Sequence, residues 1–494
     1  MKRAKHSLSN YKLLSCDLGE LVPIGMTEVL AGDSIQQSTN ALIRAAPLLS
    51  PVMHPVHVNI SHWFVPHRLV WDDWESFITG GSDGMDDSVF PTIAMPASTG
   101  AAVGSLADYL GIPTGVAELA VSALPFRAYA LIFNEWFRDQ DLVTPLTIDT
   151  SSGVDTTTST SLQNGAWEKD YFTAARPWEQ KGPAITIPLG TTAPLILDPE
   201  SGAIDSSVLR VSSTGAINTS AGDIGSTGSG LLQRSAGANQ TLDITGHTLV
   251  DLSTASGVTV NVLREALALQ RYEEARARYG SRYTEYLQYL GVRSSDARLQ
   301  RPEYLGGGRQ TIQFSEVLQT AEGTDPVGTL RGHGISSMRS NRYRRFFEEH
   351  GYVITLLTAR PKAIYASGLS RTWNRRTKED FWQKELEHIG QQEVLNKEVY
   401  AAGASPDATF GYQDRYDEYR RQDSTIAGEF RSTLNYWHFA RIFGAAPALN
   451  ADFVKCVPTE NPFAVPSEDV LLIMAKHSIQ ARRLVCKSGT SFIY

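Results

Sequence analysis

The sequence predicts an all-β sandwich with long loop insertions and a few helices. Short apolar runs with period-two alternation recur along the chain, and Val56, Val58 and Ile60 form one of them. The 23 prolines and 40 glycines separate such runs, as turn residues do. Between residues 371 and 450 the loops are rich in aromatic residues and arginine, and they are longer than a compact monomer needs. Loops of this kind are typical of surfaces that neighbouring subunits bury.

Length and composition bound the class of protein. The 494 residues suffice for two to four ordinary domains or for one β domain with large insertions. A net charge of -8 excludes a chain that is polybasic throughout, but it leaves room for local basic patches. Three widely separated cysteines argue against a disulfide framework and fit a reducing cytoplasm. The basic start is not followed by an apolar segment, and no window approaches 18 uninterrupted apolar residues, so we expect neither a signal peptide nor a membrane span.

Residues 1–15 are basic and polar and show no periodicity. We therefore predict an N-terminal arm that only a partner would order. No acidic residue precedes Asp17, so this arm is a better candidate for contact with single-stranded DNA than the internal basic clusters, at residues 339–347 and 371–378. The candidate residues are Lys2, Arg3, Lys5 and Lys12.

The segment from Ser61 to Gly81 predicts a strand, a proline break and a short amphipathic helix. Pro66 cannot donate to a ladder and should end the strand. Apolar residues then recur at near-helical spacing until Gly80 and Gly81 stop the helix. This short span contains three tryptophans, Trp63, Trp71 and Trp74, and they indicate a structural anchor rather than a catalytic site.

Two longer helices are predicted. Between Ala120 and Arg138 the apolar residues form a wide face, so this helix should be buried on more than one side. Residues 261–290 give the strongest helical pattern, with Asn261 as the N-cap.

Residues 199–257 are rich in Gly, Ser and Thr and have almost no aromatic side chains. A flexible or disordered insert is one interpretation. We favour weakly packed strands and turns, because short alternating pieces recur: Val208 and Val211, Leu242 and Ile244, and, at its C-terminal end, Val258, Val260 and Val262. Strongly patterned sequence resumes on both sides, so this segment is predicted to be an insertion.

Further strands are predicted toward the C-terminus, at Thr311–Phe314, Tyr352–Leu357, Val470–Met474 and Ser478–Val485. The three glycines Gly306, Gly307 and Gly308 lack the Lys-Ser/Thr of a phosphate loop and predict a backbone turn.

No pattern typical of catalysis or metal binding stands out. Four histidines lie close in sequence, but His57 and His62 are an odd number of positions apart and face opposite sides of a strand. Hydrogen-bonded structural histidines are favoured over a metal site. No Gly-x-Ser-x-Gly motif occurs and the cysteines lack cationic neighbours, so we expect neither enzymatic activity nor a cofactor.

Two internal basic clusters include aromatic residues, one in residues 339–347 and the other in residues 371–378. Such mixing could hold single-stranded nucleic acid by charge and stacking. Acidic residues follow each cluster at once, so ion pairing between subunits is the favoured interpretation. The predicted inter-subunit residues are Trp373, Arg375, Arg376, Tyr419, Arg420 and Trp437.

Motifs in the same order along nearly the whole chain resemble those of one viral family. They include LVPI at residues 21–24, EVLAGD at 28–33, FVPHR at 64–68, WDDWE at 71–75, ALIFNEWFRD at 130–139, DYFT at 170–173, RLQRPEYLG at 298–306 and YWH at 436–438. Together they resemble the major capsid protein of the Microviridae, in its gokushovirus-like branch.

The resemblance implies one eight-stranded jelly roll over residues 1–494, with long loops between its strands. It implies a shell of triangulation number one around a circular single-stranded DNA genome, in a virion assembled in the host bacterial cytoplasm. The implied partners are other copies of the chain, the packaged DNA, a small basic DNA-binding virion protein, a pilot protein and a host surface receptor, with no membrane among them. Residues 199–257 fall where capsids of this branch carry an outer-surface protrusion at the three-fold axes.

Two other classes of protein stay open at this point. One is a β-rich carbohydrate-binding adhesin, which glycan binding by monomers would support. The other is a jelly-roll metalloenzyme, which stoichiometric metal would support and which the lack of a His-x-His pair disfavours.

Overall fold

The computed structural model describes residues 3–185, 260–280, 282–320 and 326–486, and also the backbone of short strands between residues 195 and 250. The chain divides into two compact units, residues 1–181 with 274–494 and residues 182–273. Each unit is described by itself below. Among the described residues, no helix combines the length and the apolar character that crossing a membrane requires.

Strands outnumber helices in the described parts of the chain. The strands are β1 (Ala4–Ser7), β2 (Asn10–Cys16), β3 (Val22–Val29), β4 (Ser34–Ala45), β5 (Val56–Pro66), β6 (Thr92–Ala94), β7 (Ala120–Ser122), β8 (Leu195–Leu197), β9 (Arg210–Val211), β10 (Ile224–Ser226), β11 (Leu232–Arg234), β12 (Leu242–Asp243), β13 (Thr248–Val250), β14 (Glu303–Leu318), β15 (Leu330–Arg339), β16 (Tyr343–Phe346), β17 (Gly351–Pro361), β18 (Gln391–Leu395), β19 (Thr409–Asp414) and β20 (Leu471–Arg483). The helices are α1 (Trp74–Thr79), α2 (Leu106–Leu110), α3 (Leu124–Ile132), α4 (Val260–Tyr279), α5 (Tyr283–Tyr289), α6 (Asn396–Val399) and α7 (Ala451–Val454).

The long strands of the larger unit form a jelly roll, as the sequence predicts. One layer has the order β2–β20–β4–β15, and the other has the order β14–β5–β17–β3, with every neighbouring pair antiparallel. The eight strands of the two layers are, in chain order, β2, β3, β4, β5, β14, β15, β17 and β20. The first layer therefore joins the first, eighth, third and sixth of them. This is the double Greek-key order of a jelly roll. Strand β14 belongs to both layers, because Glu303–Ile312 pair with β5 and Gln313–Leu318 pair with β15.

The main core lies between the two layers. Ile43 on β4 and Ile473 on β20 are fully or almost fully buried, and they belong to one cluster with Ile24 on β3 and Val58 on β5. Along β20 buried and exposed positions alternate, because only one side of this strand faces the core.

Strands β5 and β17 are buried on both sides. Their second side, which includes Trp63 and Leu356, packs against α3 in a separate apolar cluster. The hydroxyl of Tyr129 on α3 donates to the carbonyl of Leu21 at 2.9 Å, which joins the helix to the start of β3. The helix predicted between residues 120 and 138 is thus present and buried on several sides, and a π-helical turn, Phe133–Phe137, continues it.

The predicted strand, proline break and helix of residues 61–81 are confirmed. Strand β5 ends at Pro66, and α1 follows after one 3₁₀ turn. The helix ends at Gly80, whose φ of 84° is left-handed and whose N–H donates to the carbonyl of Ser76.

The prediction of an N-terminal arm without structure of its own is wrong. Both β1 and β2 pair with β20, so residues 4–7 and 10–16 extend the first layer of the jelly roll. Strand β2 could not be recognised from the sequence because polar and apolar residues do not alternate along it. Leu13 faces solvent, while its neighbour Leu14 packs against the core.

The predicted turn at residues 306–308 is also wrong, because these glycines lie inside β14. The register with β5 shifts between Tyr304 and Gly306, which is the mark of a bulge. A Cβ at Gly307 would lie 2.2 Å from the carbonyl oxygen of Ile60. The glycines therefore permit close approach of backbones rather than a reversal of the chain.

Three boundaries differ from the predictions. Strand β20 is continuous where two strands were predicted. Helix α4 begins at Val260, so Asn261 is inside the helix and is not its cap, and the strand predicted at residues 258–262 is wrong for Val260 and Val262. Gly280, with a φ of 100°, separates α4 from α5.

The smaller unit contains the predicted insertion, residues 199–257, most of which lies outside the described residues. Its described segments form three antiparallel pairs, β8 with β13, β9 with β12 and β10 with β11. Each pair encloses the next one in sequence. The order of the insertion as a whole stays a prediction.

Candidate inter-subunit and nucleic-acid contact surfaces

Five of the six predicted inter-subunit residues belong to two neighbouring loops. Residues 371–382 form two 3₁₀ turns, and residues 414–421 follow β19 and form a third. Hydrogen bonds join the loops, because the N–H of Trp382 donates to the hydroxyl of Tyr419 at 3.3 Å and the hydroxyl of Tyr416 donates to the carbonyl of Glu379 at 3.1 Å. We call residues 371–382 with 414–421 the aromatic–arginine surface.

Arg375 contacts two rings of this surface. Its guanidinium lies 4.3 Å from the centroid of Tyr419 and 5.4 Å from that of Phe381. Its side chain is only 13% exposed, and one of its nitrogens is 3.6 Å from the carboxylate of Glu418. Through these contacts Arg375 links a ring of each loop, Phe381 of the first and Tyr419 of the second.

The first loop is also fixed by its own backbone. The N–H groups of Arg376 and Thr377 both donate to one carboxylate oxygen of Asp380, each at 2.7 Å. These two hydrogen bonds hold the pKa of Asp380 below its usual value. Arg376 in turn donates from its guanidinium to the carbonyl of Trp373 at 3.1 Å.

The rings held in this way are exposed. The exposed fraction is 72% for Trp373, 52% for Phe381, 49% for Trp382 and 48% for Tyr419. Several large aromatic side chains exposed together are typical of a surface that binds another protein. Phe381 and Trp382 were missed at the level of sequence, and the signal that could have found them is their position directly after the predicted basic cluster of residues 371–378.

Most of the arginines here are already paired within the chain. Arg371 lies 2.9 Å from Glu398, and Arg420 lies 3.6 Å from Asp417 and 3.8 Å from Asp414. For the basic cluster of residues 371–378 the sequence left two interpretations, binding of single-stranded nucleic acid and ion pairs between subunits. In the structure the charges pair mainly inside one subunit. Contact with a neighbouring subunit would therefore depend on the rings.

The sixth candidate, Trp437, has other neighbours. It ends a 3₁₀ turn, is half-buried, and has Phe430 and Tyr436 as ring neighbours. Its carbonyl accepts a hydrogen bond from the N–H of Met53 at 2.9 Å. None of these residues belongs to the aromatic–arginine surface, so the structure does not group Trp437 with the other five.

The predicted DNA-contact residues differ in their surroundings. Lys2 lies outside the described residues. Lys5 is exposed, and the guanidinium of Arg3 lies 4.8 Å from the ring centroid of Phe346. Lys12 faces the inner side of β2, where its ammonium donates to the carbonyls of Pro23 and Tyr109.

Lys12 is therefore poorly placed to bind phosphate. Its burial lowers its pKa to about 8, against the opposing effect of Asp108. The two carbonyls already occupy the ammonium. Contact with DNA stays a prediction for all four residues.

The histidines near residue 60 are structural, as predicted. The ring nitrogens of His62 form hydrogen bonds with the hydroxyls of Thr355 at 2.9 Å and Ser340 at 3.0 Å, and His57 bonds to Thr311 at 3.1 Å. Burial, reinforced by His477, lowers the pKa of His62 to about 3. Within the described residues, no group of His, Cys, Asp and Glu could hold a metal ion.

The fold agrees with the comparisons with known proteins. The family model described as "Capsid protein (F protein)" matches residues 1–491. The chain belongs to this phage capsid family. It is a structural component of the virion and not an enzyme.

Three relatives cover almost the whole chain. The chain is 40% identical to "Capsid protein VP1" of Bdellovibrio phage phiMH2K over 467 residues, which cover 91% of the chain and 87% of that protein. It is 33% identical to the protein of the same description in Chlamydia phage 1, with 95% and 92% covered, and 34% identical to that in Spiroplasma virus 4, with 92% and 87% covered. The motif-based assignment to the Microviridae, in their gokushovirus-like branch, is confirmed.

Proposed function

We propose that this capsid protein self-assembles into a small icosahedral shell of triangulation number one, which encloses a circular single-stranded DNA phage genome. The observation that carries the proposal is the aromatic–arginine surface. It presents exposed rings on loops that hydrogen bonds and a desolvated guanidinium hold in place. Rigid loops lose little conformational entropy when a neighbour covers them.

Closed symmetry explains how a surface of this modest size can stabilise a whole shell. In a closed shell the same contact repeats for every subunit, so modest individual interfaces sum to a stable assembly. Assembly would take place in the host bacterial cytoplasm. We include a small basic DNA-binding virion protein and a pilot protein among the proposed partners.

Negative-stain imaging of the purified, expressed chain tests the proposal. Uniform small shells are the expected result. Monomers that bind glycans and form no shells would instead favour the carbohydrate-binding adhesin.

We further propose that the insertion, residues 199–257, projects outward at the three-fold axes and contacts a host surface receptor. The pairing of Leu197 with Thr248 gives a clean way to remove most of it. A short turn that joins these two residues keeps β8 and β13 paired while it deletes the residues between them. Shells of this variant should form but should adsorb poorly to host cells, whereas normal adsorption would contradict the receptor role.

A further inference from the structure

The solvent-facing side of the first jelly-roll layer has an unusual charge pattern. The strand register sets which side chains share this side: those that alternate with the core residues on β1, β2, β20, β4, β15, β16 and the end of β14. The cationic side chains among them are Lys5, Arg44, Arg331, Arg339, Arg344, Lys476 and Arg482. We call this side the open sheet face.

The same positions of these strands carry no Asp or Glu. The register places Lys476, Asn40 and Arg339 in one row and Arg44 beside Ile335 in another. Glu316 on β14 pairs with Gly332 and faces the opposite side of the sheet. At the rim, the carboxylate of Asp469 accepts a hydrogen bond from the hydroxyl of Ser15.

These cations also differ from the others in their partners. Apart from Arg331, none of them forms an ion pair within the described parts of the chain. Elsewhere arginines of the larger unit commonly meet a carboxylate, as Arg309 does with Glu168 at 2.7 Å. The chain has a net charge of -8, yet the six cations of this face other than Arg331 form no ion pair among the described residues. A polyanion would supply the missing charge.

The face also exposes apolar and aromatic side chains. Tyr11 is 71% exposed and Leu13 is 69% exposed, and both lie on β2. Phe346 on β16 is 45% exposed and lies beneath the guanidinium of Arg3. The remaining outward positions are mostly Ser, Asn and Gln, which can donate to phosphates and bases: Ser7, Gln36, Asn40, Ser337, Ser478 and Gln480.

We propose that the open sheet face holds the packaged single-stranded DNA and faces the interior of the shell. The proposal rests on the proposed shell function and names the surface that this function uses. Single strands fit better than duplex, because their bases are free to stack on Tyr11 and Phe346, whereas in a duplex the bases are stacked on one another. Lys12 does not contribute, since it faces the other side of β2.

The salt dependence of binding tests the charge part of the proposal. The probe is a fluorescein-labelled oligothymidylate, and its anisotropy is measured with the full-length chain across a series of salt concentrations. For single strands, log K falls with log[salt] by about 0.7 per cation in contact. The triple variant R44Q/R339Q/K476Q should therefore reduce the slope by about 2.

A matched control removes the same charge from elsewhere. Arg293, Arg298 and Lys455 are exposed and lie outside the strands of the sheet. The variant R293Q/R298Q/K455Q should leave the slope unchanged. An unchanged slope in the first variant, or an equal loss in both, would overturn the proposal.

The stacking part has its own test. The Tyr11→Ser variant should bind the oligothymidylate about tenfold more weakly, because one stacked base is lost. Its affinity for a duplex of the same length should not change. Equal affinity of the wild-type chain for duplex and single strand would contradict the choice of single strands.

The proposal of a shell and the proposal that the open sheet face binds DNA can be refuted separately. Imaging of the same preparations shows whether shells form, and their absorbance ratio at 260 and 280 nm reports the nucleic acid inside. Shells of R44Q/R339Q/K476Q with a normal nucleic-acid content would overturn the open sheet face while the shell proposal stands. Wild-type protein that never forms shells would instead overturn the proposed function.

Discussion

Trp373 offers the sharpest test of how subunits meet. It is 72% exposed, so the folded subunit gains little from its ring. Its loop is held by contacts of other residues, chiefly the carboxylate of Asp380 and the ring contacts of Arg375. The substitution Trp373→Ala should therefore remove contact area from the interface and leave the loop in place.

The expected magnitude follows from the exposed area. A buried tryptophan covers about 150–250 Å². With 72% of it exposed, on the order of 140 Å² is available to a neighbouring subunit. At about 25 cal/mol per Å², full burial of that area contributes about 3.5 kcal/mol per subunit. The concentration at which shells form should then rise roughly three-hundredfold. The buried remainder of the ring limits the loss in folding free energy to about 1 kcal/mol.

Sedimentation velocity across a concentration series measures the shell-forming concentration, and thermal unfolding of the unassembled subunit measures its stability. Tyr283→Ala is the control, because Tyr283 is 65% exposed and lies on α5, outside the aromatic–arginine surface. Assembly of Trp373→Ala at the wild-type concentration would refute the reasoning. An equal defect in Tyr283→Ala would show that any exposed ring has this effect.

Three further outcomes are expected. Trp437→Ala should give a soluble monomer or pentamer that forms no shells, and intact particles by negative stain would refute this. Asp155→Asn should cost about 3 kcal/mol or more in a denaturant melt, because Asp155 and Arg127 form an ion pair at 2.8 Å with both side chains buried; a loss below about 1 kcal/mol would contradict it. His62 has a pKa of about 3 when folded and about 6.5 when unfolded. The protonation of His62 therefore has little effect on the free energy of unfolding above about pH 6.5. Between about pH 6.5 and pH 3 it lowers that free energy by up to about 1.4 kcal/mol for each pH unit that the pH falls. His62→Gln should flatten this acid decline, and an unchanged pH profile would count against the assignment.

Local patterns predicted the elements whose determinants lie close together in sequence. In residues 61–81 the alternation, the proline and the glycines each act on their immediate neighbours, and the observed strand, break and helix follow them. The apolar face around Tyr129 likewise predicted a helix covered on several sides. Five of the six residues predicted to contact another subunit belong to adjoining loops, and their contact with another subunit stays a prediction.

Features decided by distant partners could not be predicted in this way. Strand β2 is a strand because β20 lies beside it, and the two are more than 450 residues apart in the chain. Gly307 is needed because the backbone of Ile60 passes close to it. The open sheet face is likewise assembled from strands at both ends of the chain. The basic cluster of residues 339–347 contributes Arg339 and Arg344 to this face, but Arg44 and Lys476 become their neighbours only in the folded sheet.

The two surfaces differ in how their charges are satisfied, and this difference separates their proposed roles. On the aromatic–arginine surface Arg371 and Arg420 already face carboxylates of the same subunit, so binding there depends on the area of exposed rings. On the open sheet face Arg44 and Lys476 have no such partner within the described residues, so binding there depends on charge. Salt screens the charge contacts of the open sheet face, whereas it strengthens or leaves unchanged the apolar ring contacts of the aromatic–arginine surface. A shell built in this way would release its hold on DNA as salt rises while its subunits stay joined, which allows genome binding and shell integrity to change independently.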